Sequence, residues 1–284
     1  MGISNSNPEP KPNPEFDRPW RETIWSKEEK ERLMNEIRTL TPRYKEVKKI
    51  KIMMTGQVAA GKSSYINTVD FMFQGQFLSP ALCGEGGHSF TKKLKPYHFK
   101  APFVIYDTMG IDINMKSSDD YINAVKGHIK DEYVFNPVSP LNADSPYFNK
   151  NPTVNDVAHC LVYVVPADQQ SIMKDPVLKL LKEIREKVSD NDIPQVVLLT
   201  KVDKACPLVG NDLQKVYVSK YIKEQIEMAS QILGIPVNCI VPVKNYSEKI
   251  SPNDEIDVLA LTALLQILRF ANGYLQNLDQ KQHN

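Results

Sequence analysis

Apolar positions fall into two kinds of run, and the two alternate after residue 47. One kind is short: the continuous apolar runs FVIY ahead of Asp107, VAHCLVYVV over 157–165 and VVLL ahead of Thr200, with the β-capable segments 47–54 (VKKIKIMM) and 237–243 completing the set. Uninterrupted apolar runs of this length predict strands buried on both faces. The other kind recurs every three or four residues. Leu33, Met34, Ile37 and Leu40 follow Ser26, which is placed to cap a helix carrying Glu28 and Glu29 in its first turn; Pro42 ends it. Further helices are predicted over 62–69, 119–131, 175–187, 212–233 and 254–276, with loop over 71–94 and one more strand near 96–100. Strands alternating with helices predict an α/β fold, a mostly parallel sheet with helices on both faces and a helical N-terminal lead-in.

Prolines divide the chain further. Pro8, Pro10, Pro12 and Pro14 rule out regular structure at the start, so 1–18 reads as a disordered tail and 19–46 as the lead-in. Pro137, Pro140, Pro146 and Pro152 mark 132–156 as an insertion or lid within a domain spanning 47–276. Residues 277–284 read as a C-terminal tail. Hydrophobic residues make up 42% and charged residues 24%, an ordinary globular balance. A net charge of +1 without a basic run argues against a nucleic-acid partner. Cys83, Cys160, Cys206 and Cys239 are scattered, with no zinc-type spacing; buried free thiols in a reducing compartment are expected. No apolar run approaches the roughly 20 residues that span a bilayer.

The chemistry begins at Gly56-Gln57-Val58-Ala59-Ala60-Gly61-Lys62-Ser63, which matches G-x-x-x-x-G-K-[ST] between a predicted strand and a predicted helix. The fold class expected is therefore a P-loop NTPase. Gly56 and Gly61 let the backbone turn its N–H groups toward phosphate oxygens, and the helix adds its positive end. Lys62 is placed for the β- and γ-phosphates, and Ser63 for Mg²⁺. Ser64 follows as a further nucleotide contact. Asp107-Thr108-Met109-Gly110 closes an apolar strand: Asp107 is a candidate for the metal, and the Gly110 N–H for the γ-phosphate. The threonine completing the metal shell must lie in 67–99; Thr91 is the first candidate and Ser89 the second. Gly84, Gly86 and Gly87 precede them in a predicted mobile loop, and His88 stands as a phosphate contact or an ordinary exposed histidine.

Thr200-Lys201-Val202-Asp203 follows a buried strand in the order expected of a guanine-reading T-K-x-D segment. The Asp203 carboxylate suits the two N–H donors of guanine, which adenine lacks, and the Lys201 stem would cover the ring. Lys244 and Asn245, after the last strand, are candidates for a further base contact. Many small GTPases carry glutamine directly after D-x-x-G to orient water. Ile111 stands there, and Val58 and Ala59 replace glycines common in that class. Slow hydrolysis, or hydrolysis needing a second protomer, is the expectation. Gln57 is a conceivable substitute for the missing glutamine.

Pro19-Trp20-Arg21 with Trp25, GQVAAGKSSYINTV, HSFTKKLKPY, DTMG, HCLVYVV, TKVD and VPVKNYSE together resemble the interferon-induced protein 44 family, from about Pro19 to Leu275. The resemblance implies a cytoplasmic, interferon-inducible, GTPase-like protein of antiviral defence that binds GTP or GDP. A nucleotide-dependent homodimer and an unidentified protein partner are separate expectations of the switch reading. Longer relatives carry an N-terminal TLDc-type domain, for which this sequence has no room. Met1-Gly2-Ile3-Ser4-Asn5-Ser6 fits an N-myristoylation pattern or a flexible start, and membrane contact is expected only if Gly2 is acylated.

Overall fold

Six strands form one sheet in the order β2-β3-β1-β4-β5-β6, all parallel except β2, which runs antiparallel to β3. In chain order they are β1 (Ile50–Thr55), β2 (Lys95–His98), β3 (Phe103–Asp107), β4 (Cys160–Pro166), β5 (Gln195–Thr200) and β6 (Ile240–Pro242). The computed structural model describes residues 14–81, 91–170, 173, 175–247 and 251–283. Gly2, Cys83, Gly84, Gly86, Gly87, His88 and Ser89 lie outside the described residues.

The pleat divides the core. In β1, Met53 points to one apolar layer, while Ile50, Ile52 and Met54 point to the other. The first layer is closed by α3 (Asp119–Val125), α4 (Asp175–Ser189) and α7 (Lys220–Leu233); the second by α1 (Lys27–Thr39), α2 (Lys62–Gln74) and α8 (Asp254–His283). The central strands β1, β3 and β4 are buried along their whole length. The expected α/β fold with helices on both faces is therefore the observed one.

Several boundaries differ from the sequence reading. Helix α2 continues to Gln74, because 71–74 contains no breaker, and ends where Gly75 adopts φ +72°. Helix α3 stops at Val125 instead of reaching 131. Gly127 turns at φ +79°, where a Cβ would stand 2.8 Å from the Asp156 carbonyl carbon. The helix expected over 212–233 is broken: a 3₁₀ turn (Leu213–Tyr217) precedes α7, and the Ser219 hydroxyl caps the new start by accepting from the Ile222 N–H. Two short helices, α5 (Val202–Ala205) and α6 (Pro207–Asn211), were not anticipated. The tail read through residue 18 is held from residue 14: Glu15 bridges Ser219, and the Phe16 N–H donates to the Val218 carbonyl. The predicted tail from 277 is helical to His283.

Helix α8 also alters the membrane argument. Over Asp254–Gln282 it is long and apolar enough to cross a bilayer by composition, yet most of its apolar window is buried. It lies against β1, β4 and β6, with α1 and α2 beside it. Burial within the core accounts for its apolarity.

Arg21 in the lead-in donates to the Ile240 and Val237 carbonyls at 2.8 and 2.7 Å, tying residues 14–26 to the β6 end of the sheet. At the base of the sheet, the His159 Nδ1 accepts the Lys51 N–H at 2.9 Å, and Nε2 lies 2.8 Å from the Val154 carbonyl. The ring is therefore neutral with its proton on Nε2. Burial pushes the imidazole down from 6.5 to about 4. Unfolded chains take up this proton below about 6.5, whereas the folded chain does not until about 4, so the stability tied to neutral His159 is complete above 6.5 and is lost as pH falls toward 4. The full effect is about 3 kcal/mol. Urea unfolding at pH 7, 6 and 5 should show a shallower loss for His159→Gln than for the unaltered chain; parallel slopes would contradict the assignment.

Candidate functional site

At the end of β1, Gly56 adopts φ +147° and lies so close to β4 that a Cβ would stand 2.3 Å from the Val164 carbonyl oxygen. Only glycine fits there. The chain then turns through Gln57, Val58, Ala59 and Ala60 to Gly61, at φ +99°, which begins α2. Ala59 takes a left-handed φ of +59° without being glycine, a strain of about 1–3 kcal/mol borne by the loop. No side chain caps the first turn of α2, so the positive end of the helix faces the loop, as a phosphate site requires.

Lys62 curls back over the turn and donates to the Gly56 and Gln57 carbonyls, both at 3.2 Å. It is almost wholly buried, and burial pushes its ammonium below the usual lysine range, an effect partly offset by the Asp107 carboxylate. Asp107, at the end of β3, is fully buried. Burial pushes its carboxyl upward, opposed by Lys62 and by hydrogen bonds from Ser63 and Thr91. Asp107 Oδ2 accepts from Ser63 Oγ at 2.7 Å and from Thr91 Oγ1 at 2.9 Å, and the two hydroxyls are 3.3 Å apart.

Three residues singled out for metal from separate segments thus meet around one carboxylate. Asp107 Oδ1 is buried with no hydrogen-bond partner among the described residues. An orphaned carboxylate oxygen beside two hydroxyls is a hard oxygen donor set, which fits Mg²⁺ and not a softer metal. No cluster of three or more His, Cys, Asp or Glu with metal-holding geometry occurs among the described residues.

Gly110 lies against the phosphate loop, where a Cβ would stand 2.9 Å from Val58 Cα. Ile111 then pairs with the loop: its N–H donates to the Gly56 carbonyl and its carbonyl accepts the Val58 N–H, each at 3.0 Å. The Val58 N–H, expected to face phosphate, is therefore used within the protein. The Ile111 side chain is buried in the core. The Gln57 amide donates to Gln169 at 3.3 Å, a partner that the sequence did not single out.

The T-K-x-D segment reaches the same loop from β5. Thr200 Oγ1 donates to the Ala60 carbonyl at 2.6 Å, and Lys201 turns left-handed at φ +57° to start α5. Asp203 is about a fifth exposed and pairs with Lys244 Nζ at 3.2 Å. Asn245, expected to touch the purine, donates its side-chain amide to the Gly61 carbonyl at 3.2 Å, while its buried Oδ1 has no partner among the described residues. It therefore also acts as a strut between the last loop and the phosphate loop. Two further residues escaped the sequence reading. The Thr108 hydroxyl donates to the Met54 carbonyl at 2.8 Å, locking the D-x-x-G turn to β1. Gly210 allows close approach to the Asp203 carbonyl oxygen, which a Cβ would crowd at 2.7 Å. Neither carries a signal in a single sequence, because both depend on what the fold brings beside them.

The phosphate loop on a mostly parallel sheet, with the D-x-x-G and T-K-x-D segments converging on it, defines a P-loop NTPase fold of the GTPase-like kind. The chain is a relative of the interferon-induced protein 44 proteins, as the motifs implied. It is 30% identical over 265 residues to Interferon-induced protein 44-like of Homo sapiens, covering 90% of this chain and 59% of that protein. It is 28% identical over 254 residues to Interferon-induced protein 44 of Mus musculus, covering 87% of this chain and 60% of the relative. The chain thus spans about three-fifths of the length of the curated relatives it matches. No protein-family model matches it. A solved structure described as a probable GTP-binding protein engB superposes with a TM-score of 0.46 at 13% identity, covering 78% of this chain and 98% of that one.

Gly56→Ala forces a Cβ into the Val164 carbonyl. The expected cost is at least about 2 kcal/mol of unfolding free energy, measurable by urea titration. An unchanged midpoint would show that the loop does not sit against β4 as described.

Proposed function

We propose that this chain binds guanine nucleotide with Mg²⁺ and acts as a nucleotide-dependent switch or self-assembling slow GTPase of the interferon-induced antiviral response, in the cytoplasm. The observation that carries the nucleotide reading is the convergence of Ser63, Thr91 and Asp107 beside buried Lys62. Ser63, Thr91 and Asp107 would hold the metal, which supplies charge neutralisation on the β- and γ-phosphates. Lys62 and the α2 N-terminus would hold the phosphates. Asp203 would read the guanine edge, with Lys201, Lys244 and Asn245 around the base. The interferon part rests on the names of the relatives, and the antiviral part on the family resemblance of the sequence alone.

Burial of Ile111 favours a second reading, a nucleotide-dependent scaffold with little turnover. An apolar side chain sealed in the core orients no water, and its backbone is spent on closing the loop. On either reading, any homodimer forms when nucleotide orders the switch segments.

Thermal unfolding titrated with GTP, GDP and ATP, each with Mg²⁺, tests the ligand. A guanine nucleotide at 100 times its Kd should stabilise the fold by about 2.7 kcal/mol, with ATP far behind. Lys62→Ala should erase the shift. Asp203→Asn should reduce preference for guanine over xanthine by at least about tenfold. Equal shifts by ATP and GTP, or guanine selectivity that survives Asp203→Asn, would sink the base assignment. Single-turnover assays on dilute protein should show slow GTP cleavage; rapid cleavage would contradict the role given to Ile111.

A further inference from the structure

The dipeptide Asp120–Tyr121 in α3 lies outside every motif, yet it is bonded to the D-x-x-G segment and to the insertion that holds the Thr91 segment. On one side, the Tyr121 hydroxyl donates to the Met109 carbonyl, within D-x-x-G, at 3.0 Å. On the other, the buried Asp120 carboxylate accepts from the Tyr133 hydroxyl at 2.6 Å and from the Leu141 N–H at 2.7 Å, both in the 132–156 insertion. The insertion in turn holds the segment that follows Thr91, just ahead of β2. The Phe135 N–H donates to the Lys92 carbonyl, the Leu94 N–H to the Tyr133 carbonyl, and the Glu132 N–H to the Leu94 carbonyl, each at 2.9 Å. Aromatic contacts close the circuit: Phe135 stacks on Tyr121 with centroids 5.2 Å apart and meets Tyr133 edge-on at 5.5 Å. The Lys116 N–H also donates to the Pro137 carbonyl at 3.1 Å, joining the insertion to the loop after D-x-x-G.

We propose that Asp120, Tyr121 and Tyr133 are positioning residues that make the Thr91 and Gly110 segments respond to Mg²⁺ and the γ-phosphate as one unit, with the 132–156 insertion as the connecting piece. This rests on the guanine-nucleotide reading of the site. The physical basis is that buried hydrogen bonds to a carboxylate are costly to leave unmade, so the insertion cannot shift alone. Moving Thr91 drags Lys92–Leu94, hence Tyr133 and Phe135, hence α3 and Met109. The insertion is therefore not a passive surface loop; it ties the metal-side threonine to the phosphate-side glycine.

The test uses Tyr133→Phe and Tyr121→Phe, which remove one hydroxyl each and keep ring volume. Affinity for a non-hydrolysable GTP analogue and for GDP is measured with Mg²⁺ and with EDTA. Affinity in EDTA should stay within about twofold, while the gain from Mg²⁺ and the triphosphate preference each fall by about fivefold or more. A merely structural role would lower all four affinities in parallel, and that result, or unchanged ratios, overturns the proposal. Amide exchange on the unaltered chain gives a second measurement if either variant misfolds. Analogue with Mg²⁺ should slow exchange at Leu94, Phe135 and Leu141 together, and protection confined to Leu94 overturns the coupling. An unaltered chain that binds no guanine nucleotide would instead remove the functional reading, and this proposal with it.

Discussion

Lys62 and Asp107 place opposite charges in a part of the protein that water does not reach, and most of the local architecture follows from that. A buried charge is tolerated only when polar groups replace its lost hydration. Lys62 receives the Gly56 and Gln57 carbonyls, which are available because the backbone turns sharply at a glycine pressed against β4. Asp107 receives two hydroxyls, one from the helix that starts at the turn and one from the chain leading into β2. Each substitute is supplied by a different segment, so the fold and the site assemble together. The remaining misfit, a carboxylate held above its usual range and an oxygen with no partner among the described residues, is the polarity that a divalent cation would relieve.

Much of this was legible in the sequence, for identifiable reasons. A glycine–lysine–serine loop between an apolar run and a helical run has few alternative geometries, and the structure places Gly56, Lys62 and Ser63 as that pattern implies. Thr91 was found by elimination over a bounded stretch, and it does meet Ser63 and Asp107. Thr200–Asp203 was recognised by order and by the strand before it. What stayed hidden depends on distant approach. Ile111 could be read as unable to orient water, yet not as the backbone partner of Gly56 and Val58. Asn245 read as a base contact, while its amide is a strut to Gly61. The early end of α3 is set by Asp156 crowding Gly127, twenty-nine residues away in sequence and invisible to periodicity.

The 132–156 insertion shows the same limit. Its prolines excluded regular elements correctly, and that made it look detachable. Its backbone nonetheless pairs with Lys92–Leu94, just ahead of β2, and Tyr133 and Phe135 fill the core above α3. Irregular segments can be as tightly fixed as helices when their polar groups find partners.

The two sheet edges have a bearing on how copies of this chain can meet. The β2 edge includes Pro96, which has no N–H to offer, and exposed Lys95. The β6 edge is three residues long, ends in Pro242, and has its Ile240 carbonyl occupied by the Arg21 guanidinium. Neither edge offers a continuous row of donors and acceptors for an incoming strand. Assembly by strand addition, and the runaway polymer it invites, is closed off. Self-association through the described residues would instead use helical faces and loops, where side-chain fit limits it.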